Sequence, residues 1–196
     1  MKWTAYTDGA CAPTTPGPAG WGAVVIAPDG DEADHFGFIG LGTNQIAELT
    51  AAIEGLELVP LGAEVELVSD SQYVLKGLSE WRSGWERRGF RNSKGDPVAN
   101  QALWKRLYAA ADARRVSVRW VRGHNGDRCN EKADALANKA LVLKTRSAAC
   151  RRRPAQGRLR STSSSWKRAS ARFVRCFSSN ATSTRSGWRC SERTST

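Results

Sequence analysis

Gly20-Trp21-Gly22-Ala23-Val24-Val25-Ile26-Ala27 is a run of small, β-branched and aromatic residues that closes on Pro28-Asp29-Gly30, and a second run follows from Asp34 to Gly42. Strand-forming stretches on either side of a Pro-Asp-Gly turn predict an antiparallel hairpin. Upstream, Lys2 to Asp8 alternates as another strand would. Downstream, residues 44–59 place Ile46, Leu49, Ile53 and Leu56 at helical spacing, with Thr43 or Asn44 available as the cap. Glu64 to Ser69 predicts a fourth strand, 71–78 a short helix, 100–114 a longer one, 116–121 a fifth strand and 129–143 a final helix. Three meandering strands followed by alternation of strand and helix predict one α/β domain over 1–143. Its mixed sheet has five strands, three antiparallel and then parallel ones, with helices packed on it.

The formal net charge of +11 over 196 residues suggests a polyanionic partner, but it is unevenly spread. Residues 1–143 carry 16 Lys plus Arg against 18 Asp plus Glu, whereas 144–196 carry 14 against the single Glu192. This tail holds 12 Ser, 6 Thr and 12 Arg, with its few apolar residues in no regular period, and predicts disorder. It reads either as a polycation that raises nucleic-acid affinity or, by preference, as a dispensable extension. No run of about 18 apolar residues occurs, which excludes a transmembrane helix, and Asp8 comes too early for a secretory signal. The five cysteines form neither a disulfide framework nor a metal-ligand pattern, so the expected location is the reducing cytoplasm.

Four acids stand where solubility does not require them. Asp8 ends the first strand and Asp70 the fourth, and if those strands are neighbours both carboxylates emerge at one sheet edge. Glu48 lies in the first turn of the helix that starts at Asn44, and Asp134 early in the final helix. Taken singly, each has an ordinary explanation as a turn former, cap, macrodipole partner or surface residue. Gathered in one cleft, they would need cations, and hard oxygen donors suit Mg²⁺ or Mn²⁺. His124, in the glycine-flanked loop Arg122-Gly123-His124-Asn125-Gly126, is a candidate proton carrier, whereas His35 inside a strand reads as structural.

Thr7-Asp8-Gly9, Thr43-Asn44-Gln45-Ile46-Ala47-Glu48-Leu49, Ser69-Asp70-Ser71-Gln72-Tyr73-Val74, Gly123-His124-Asn125-Gly126 and Asn130-Glu131-Lys132-Ala133-Asp134, in this order, resemble type 1 ribonuclease H in its bacterial ribonuclease HI form. The resemblance covers about residues 1–142. It implies a ribonuclease H-like fold with helices on both faces of the sheet. It also implies a monomer that hydrolyses the RNA strand of RNA/DNA hybrids endonucleolytically, leaving 5′-phosphate and 3′-hydroxyl ends. Asp8, Glu48, Asp70 and Asp134 would hold two Mg²⁺ ions, with Mn²⁺ as a possible substitute, one serving the attacking water and the other the leaving 3′ oxygen. His124 would assist proton transfer or product release.

The stretch from Glu80 to Asn100 interleaves aromatic residues with cations, a pattern that suits stacking on sugars and pairing with phosphates. It is similar to the family's basic handle, in which Trp81, Trp85, Phe90 and Ser93 would line the channel for the DNA strand. Thr43 and Asn100 match the family's pocket for a DNA phosphate, and Asn44 and Gln45 its minor-groove contacts; Gln72 and Thr15 complete the implied nucleic-acid set. Thr15 stands where the family usually has Asn, and Leu41 replaces a basic residue of some relatives. The competing reading is a non-catalytic hybrid-binding module of the same fold, which has no reason to keep four costly acids.

Overall fold

In the computed structural model, which describes residues 1–14, 16–143 and 148–150, the Pro28-Asp29-Gly30 segment turns as its sequence suggests. Gly30, at φ 90°, donates its N–H to Ala27 at 2.9 Å, and Asp29 Oδ1 accepts from the Asp31 N–H at 3.1 Å. The turn joins β2 (Gly17–Ile26) to β3 (Glu32–Gly42), and β2 also pairs antiparallel with β1 (Lys2–Cys11). After α1 (Asn44–Glu57), β4 (Glu64–Ser69) returns parallel to β1, and β5 (Arg115–Trp120) lies parallel beyond β4. The mixed sheet therefore follows the expected plan. Three further residues, β6 (Ala148–Cys150), add a short strand outside β3, giving the order β5-β4-β1-β2-β3-β6.

Alternation along the strands divides the core into two layers. Val24 and Phe36 pack with Ala133, Leu136 and Ala140 of α5 (Arg128–Leu143), joined by Tyr6. The neighbouring residue Ala23 points the other way, with Trp21, toward Ala51 of α1. Leu49, Ile53, Leu56 and Leu67 are fully buried, and each such side chain contributes roughly 1.5–3 kcal/mol of hydrophobic stabilisation. Thr43 caps α1, its Oγ1 accepting from the Ile46 N–H at 3.3 Å. At α5, Asp127 Oδ1 accepts from the N–H groups of Cys129 and Asn130, both at 3.1 Å, and Glu131 reaches back to the Gly126 N–H at 3.0 Å.

The region between β4 and α4 (Gln101–Asp112) departs from the expected short helix over 71–78. The chain runs from α2 (Gln72–Lys76) through a π-helical turn, Gly77–Trp81, directly into α3 (Arg82–Arg87). Trp81, the last residue of this turn, and Trp85 of α3 both lie against the core aromatic residues. Of the tail 144–196, expected to be disordered, residues 148–150 form β6, whereas 144–147 and 151–196 lie outside the described residues, as does Thr15. Among the described residues, no helix is long and apolar enough to cross a membrane.

Candidate active site

The parallel register of β1 and β4 sets Tyr6 opposite Val68. Two residues further along each strand, at the same edge and with the same side-chain parity, stand Asp8 and Asp70. Glu48 arrives from the first turns of α1, which lies so close to β1 that a Cβ on Gly9 would sit 2.3 Å from the Ala47 carbonyl carbon and the Glu48 nitrogen. Only glycine permits that approach at position 9. The result is that one carboxylate oxygen from each of Asp8, Glu48 and Asp70 lies within 4.8 Å of the others.

Such a group is electrostatically costly. Burial, followed by the charges of Asp70 and Asp134, pushes the Asp8 carboxyl up to about 7. Burial, followed by Asp8 and Asp70, pushes Glu48 up to about 9. The Gly9 amide offsets part of the rise at each. Glu48 Oε2 is buried without a hydrogen-bond partner. An oxygen-only donor set that repels itself and leaves one buried oxygen unsatisfied fits a hard divalent cation, which would supply both the missing partner and the compensating charge.

Asp134 stands outside this trio. It lies half-buried on α5, its Oδ1 accepting from Asn138 Nδ2 at 2.8 Å, and its charge still reaches Asp8 and Glu48. The loop before α5 is seated on the site through Gly123, where a Cβ would lie 2.5 Å from Asp70 Oδ2. Next to it, His124 is exposed and adopts φ 51°, a left-handed conformation that tight loops impose. Trp120, at the end of β5, donates its indole N–H to the Asp70 carbonyl at 3.1 Å and so braces the same acid from the other side.

A family model described as RNase H matches residues 1–142. The chain belongs to the ribonuclease H family. Ribonuclease HI of Caulobacter vibrioides is 50% identical over 140 residues, which cover 71% of this chain and 93% of that one. Ribonuclease H of Granulibacter bethesdensis is 48% identical over 137 residues, covering 70% and 90%. Among solved structures, LC9-RNase H1, described as a type 1 RNase H with the type 2 active-site motif, aligns with a TM-score of 0.67 at 27% identity, covering 76% of this chain and 77% of that one. RNase H1 of the halophilic archaeon Halobacterium salinarum aligns at 0.54 with 31% identity, covering 73% and 99%. The protein is a type 1 ribonuclease H enzyme of a metal-dependent family, and Asp8, Glu48 and Asp70 form an acidic cluster that could hold a metal ion.

In this ribonuclease H the aromatic residues of 73–108 form one connected stack. Ring centroids are 5.9 Å apart for Tyr73 and Trp81, 5.4 Å for Trp81 and Trp85, and 5.1 Å for Trp85 and Trp104. Trp104 is fully buried and donates its indole N–H to Tyr73 Oη at 3.2 Å. Trp81 and Trp85 are half-buried, with one part against this core and the rest available to a ligand. Phe90 turns through φ 59° and lies under Lys105, whose Nζ is 5.0 Å from the ring centroid. Ser93 is exposed in the turn beyond, where Asn92 Oδ1 accepts from the Lys94 and Asp96 N–H groups.

The other sequence-derived candidates sit at helix starts. Thr43 is engaged as the α1 cap, Asn44 and Gln45 are exposed on its first turn, and Gln72 is exposed at the start of α2. Asn100, expected inside a helix, instead precedes α4 in a left-handed conformation at φ 58°. Gly9, Gly123 and Trp120 were not among the sequence-derived candidates. Gly9 and Gly123 flank Asp8 and His124 in the quoted motifs, the one signal that could have singled them out.

Proposed function

We propose that this ribonuclease H hydrolyses the RNA strand of an RNA/DNA hybrid endonucleolytically, with two Mg²⁺ ions held by Asp8, Glu48, Asp70 and Asp134. The observation that carries this reading is the convergence of three carboxylates within 4.8 Å, with Glu48 Oε2 left unpartnered. When bound, the divalent ions supply positive charge for the scissile phosphate and its two reacting oxygens, a part Mn²⁺ can also fill. A binding module without catalysis gains nothing from that cluster, which weighs against the alternative reading.

In the reaction, a water oxygen bonds to phosphorus as the bond to the 3′ oxygen breaks; water loses a proton and the 3′ oxygen gains one. The products carry 5′-phosphate and 3′-hydroxyl ends. His124 is the member of the set whose side-chain class exchanges protons near neutral pH, and its loop is seated beside Asp70 through Gly123. Trp81, Trp85, Phe90 and Ser93 form the surface for the DNA strand, where flat aromatic faces accept deoxyribose and leave no room for a 2′-hydroxyl. Thr43 and Asn100 hold a DNA phosphate. Asn44 and Gln45 meet minor-groove edges, whose degenerate pattern implies low sequence specificity, and Gln72 adds a polar contact to the nucleic acid.

The test is incubation with labelled RNA/DNA hybrid and Mg²⁺, in parallel with duplex RNA and duplex DNA. Cleavage confined to the RNA of the hybrid, with 5′-phosphate ends, is the expected result. A folded sample that binds the hybrid and leaves it intact would establish the binding module instead.

A further inference from the structure

Asp112 is the last residue of α4, a place where the helix dipole disfavours an acid. Its carboxylate is engaged by a guanidinium 30 residues away: Arg82 Nη1 donates to Oδ1 at 2.8 Å and Nη2 to Oδ2 at 2.7 Å, a two-pronged pair. The same guanidinium donates from Nε to Glu86 Oε1 at 2.8 Å and lies 4.7 Å over the Tyr108 ring. Tyr108 Oη in turn donates to the carbonyl of Gly77, the first residue of the π-helical turn, at 2.9 Å. These contacts close a circuit from α3 to α4 and back to the turn from which α3 emerges.

That circuit matters because α3 has no buried residue of its own. Trp85 of α3 and Trp81 at the end of the π-helical turn rest on Tyr73 and Trp104 with only part of each ring, so the segment that carries them is held by these aromatic contacts and by the Arg82 network. We propose that Arg82 and Asp112 are positioning residues for substrate: their pair fixes the angle of α3 and thereby presents Trp81 and Trp85 to the DNA strand. The inference rests on the handle's role as the DNA-strand surface. The pair does little for global stability, since the Asp112 side chain is 60% exposed and such bridges contribute at most about 1 kcal/mol.

The sign of one substitution separates this role from simple charge. Asp112→Asn removes a negative charge from a protein that binds a polyanion, so electrostatics alone makes binding tighter. The clamp makes it weaker. Steady-state hybrid cleavage by the full chain is compared for wild type, Asp112→Asn, Asp112→Glu, Arg82→Gln, the Arg82→Gln/Asp112→Asn double variant and Trp85→Ala. The expected result is a KM raised at least threefold in Asp112→Asn and Arg82→Gln, with kcat within twofold. The double variant should be no worse than either single one, and Asp112→Glu should lie near wild type. A KM that is unchanged or lowered in Asp112→Asn, while Trp85→Ala raises it, overturns the clamp and leaves the handle's role intact. A KM unchanged in Trp85→Ala overturns the handle's role and the clamp with it.

Discussion

Gly123 packs against the carboxylate of Asp70 so closely that a single methyl group at 123 would come within 2.5 Å of Oδ2. The main chain of Asp70 is held separately, its carbonyl accepting from the Trp120 indole N–H at 3.1 Å. Gly123→Ala therefore has to displace either Asp70 or the loop that carries His124. We expect kcat to fall about 10-fold or more, from a shift on the order of 1 Å at the reacting centre, with the melting temperature within a few degrees of wild type. Steady-state kinetics beside thermal unfolding check this; a loss of stability proportional to the loss of activity would contradict it.

The corresponding change at Gly9 has a different outcome. A Cβ there meets backbone atoms of Ala47 and Glu48 at 2.3 Å, and backbone in a helix cannot swing aside as a carboxylate can. Gly9→Ala should cost about 1–3 kcal/mol of stability as well as activity, measurable by chemical denaturation.

Asp70→Asn keeps the shape of the site and removes one of the three clustered carboxylates. Turnover should fall at least about 100-fold, the scale of removing one pre-organised electrostatic stabiliser. Hybrid binding, measured by fluorescence anisotropy, should change by less than threefold, because the surface around Trp81 and Trp85 is untouched.

The protein without divalent metal should lose stability as pH rises. Asp8 and Glu48 hold their protons up to about 7 and about 9 in the fold, against ordinary carboxyl values near 4 in the unfolded chain. Above about pH 4 the unfolded state releases protons that the folded state retains, so these two groups favour unfolding progressively until about pH 9. Thermal melts in chelator should show this decline relative to a Glu48→Gln variant, in which it is reduced. Added Mg²⁺ should raise the wild-type melting temperature more at pH 8 than at pH 5.5.

Much of this was legible in the chain before any coordinates. The Pro28-Asp29-Gly30 turn, the Thr43 cap and the helical spacing of Ile46, Leu49, Ile53 and Leu56 are local signals, and each produced the element it implied. Asp8, Glu48 and Asp70 were identifiable because their flanking residues form recognisable motifs. Features that depend on distance were not legible. The expected helix ended at Leu78, whereas the chain stays helical through the π turn, beyond which Trp85 lies 5.1 Å from the buried Trp104. The pairing of Arg82 with Asp112 spans 30 residues and leaves no periodic trace. Asn100 looked like part of a helix because a left-handed residue at a helix start cannot be told from composition.

The parallel pairing of β1 with β4 has a kinetic consequence. Asp8 and Asp70 become neighbours only when strands separated by β2, β3 and α1 align, a contact of long sequence separation that forms slowly. A chain that has packed α1 on β1 but lacks this pairing sets Glu48 beside Asp8 and leaves the third carboxylate of the cluster missing. Recovery of hydrolysis after dilution from denaturant is accordingly a reporter of this long-range strand alignment, while circular dichroism would register the local elements sooner.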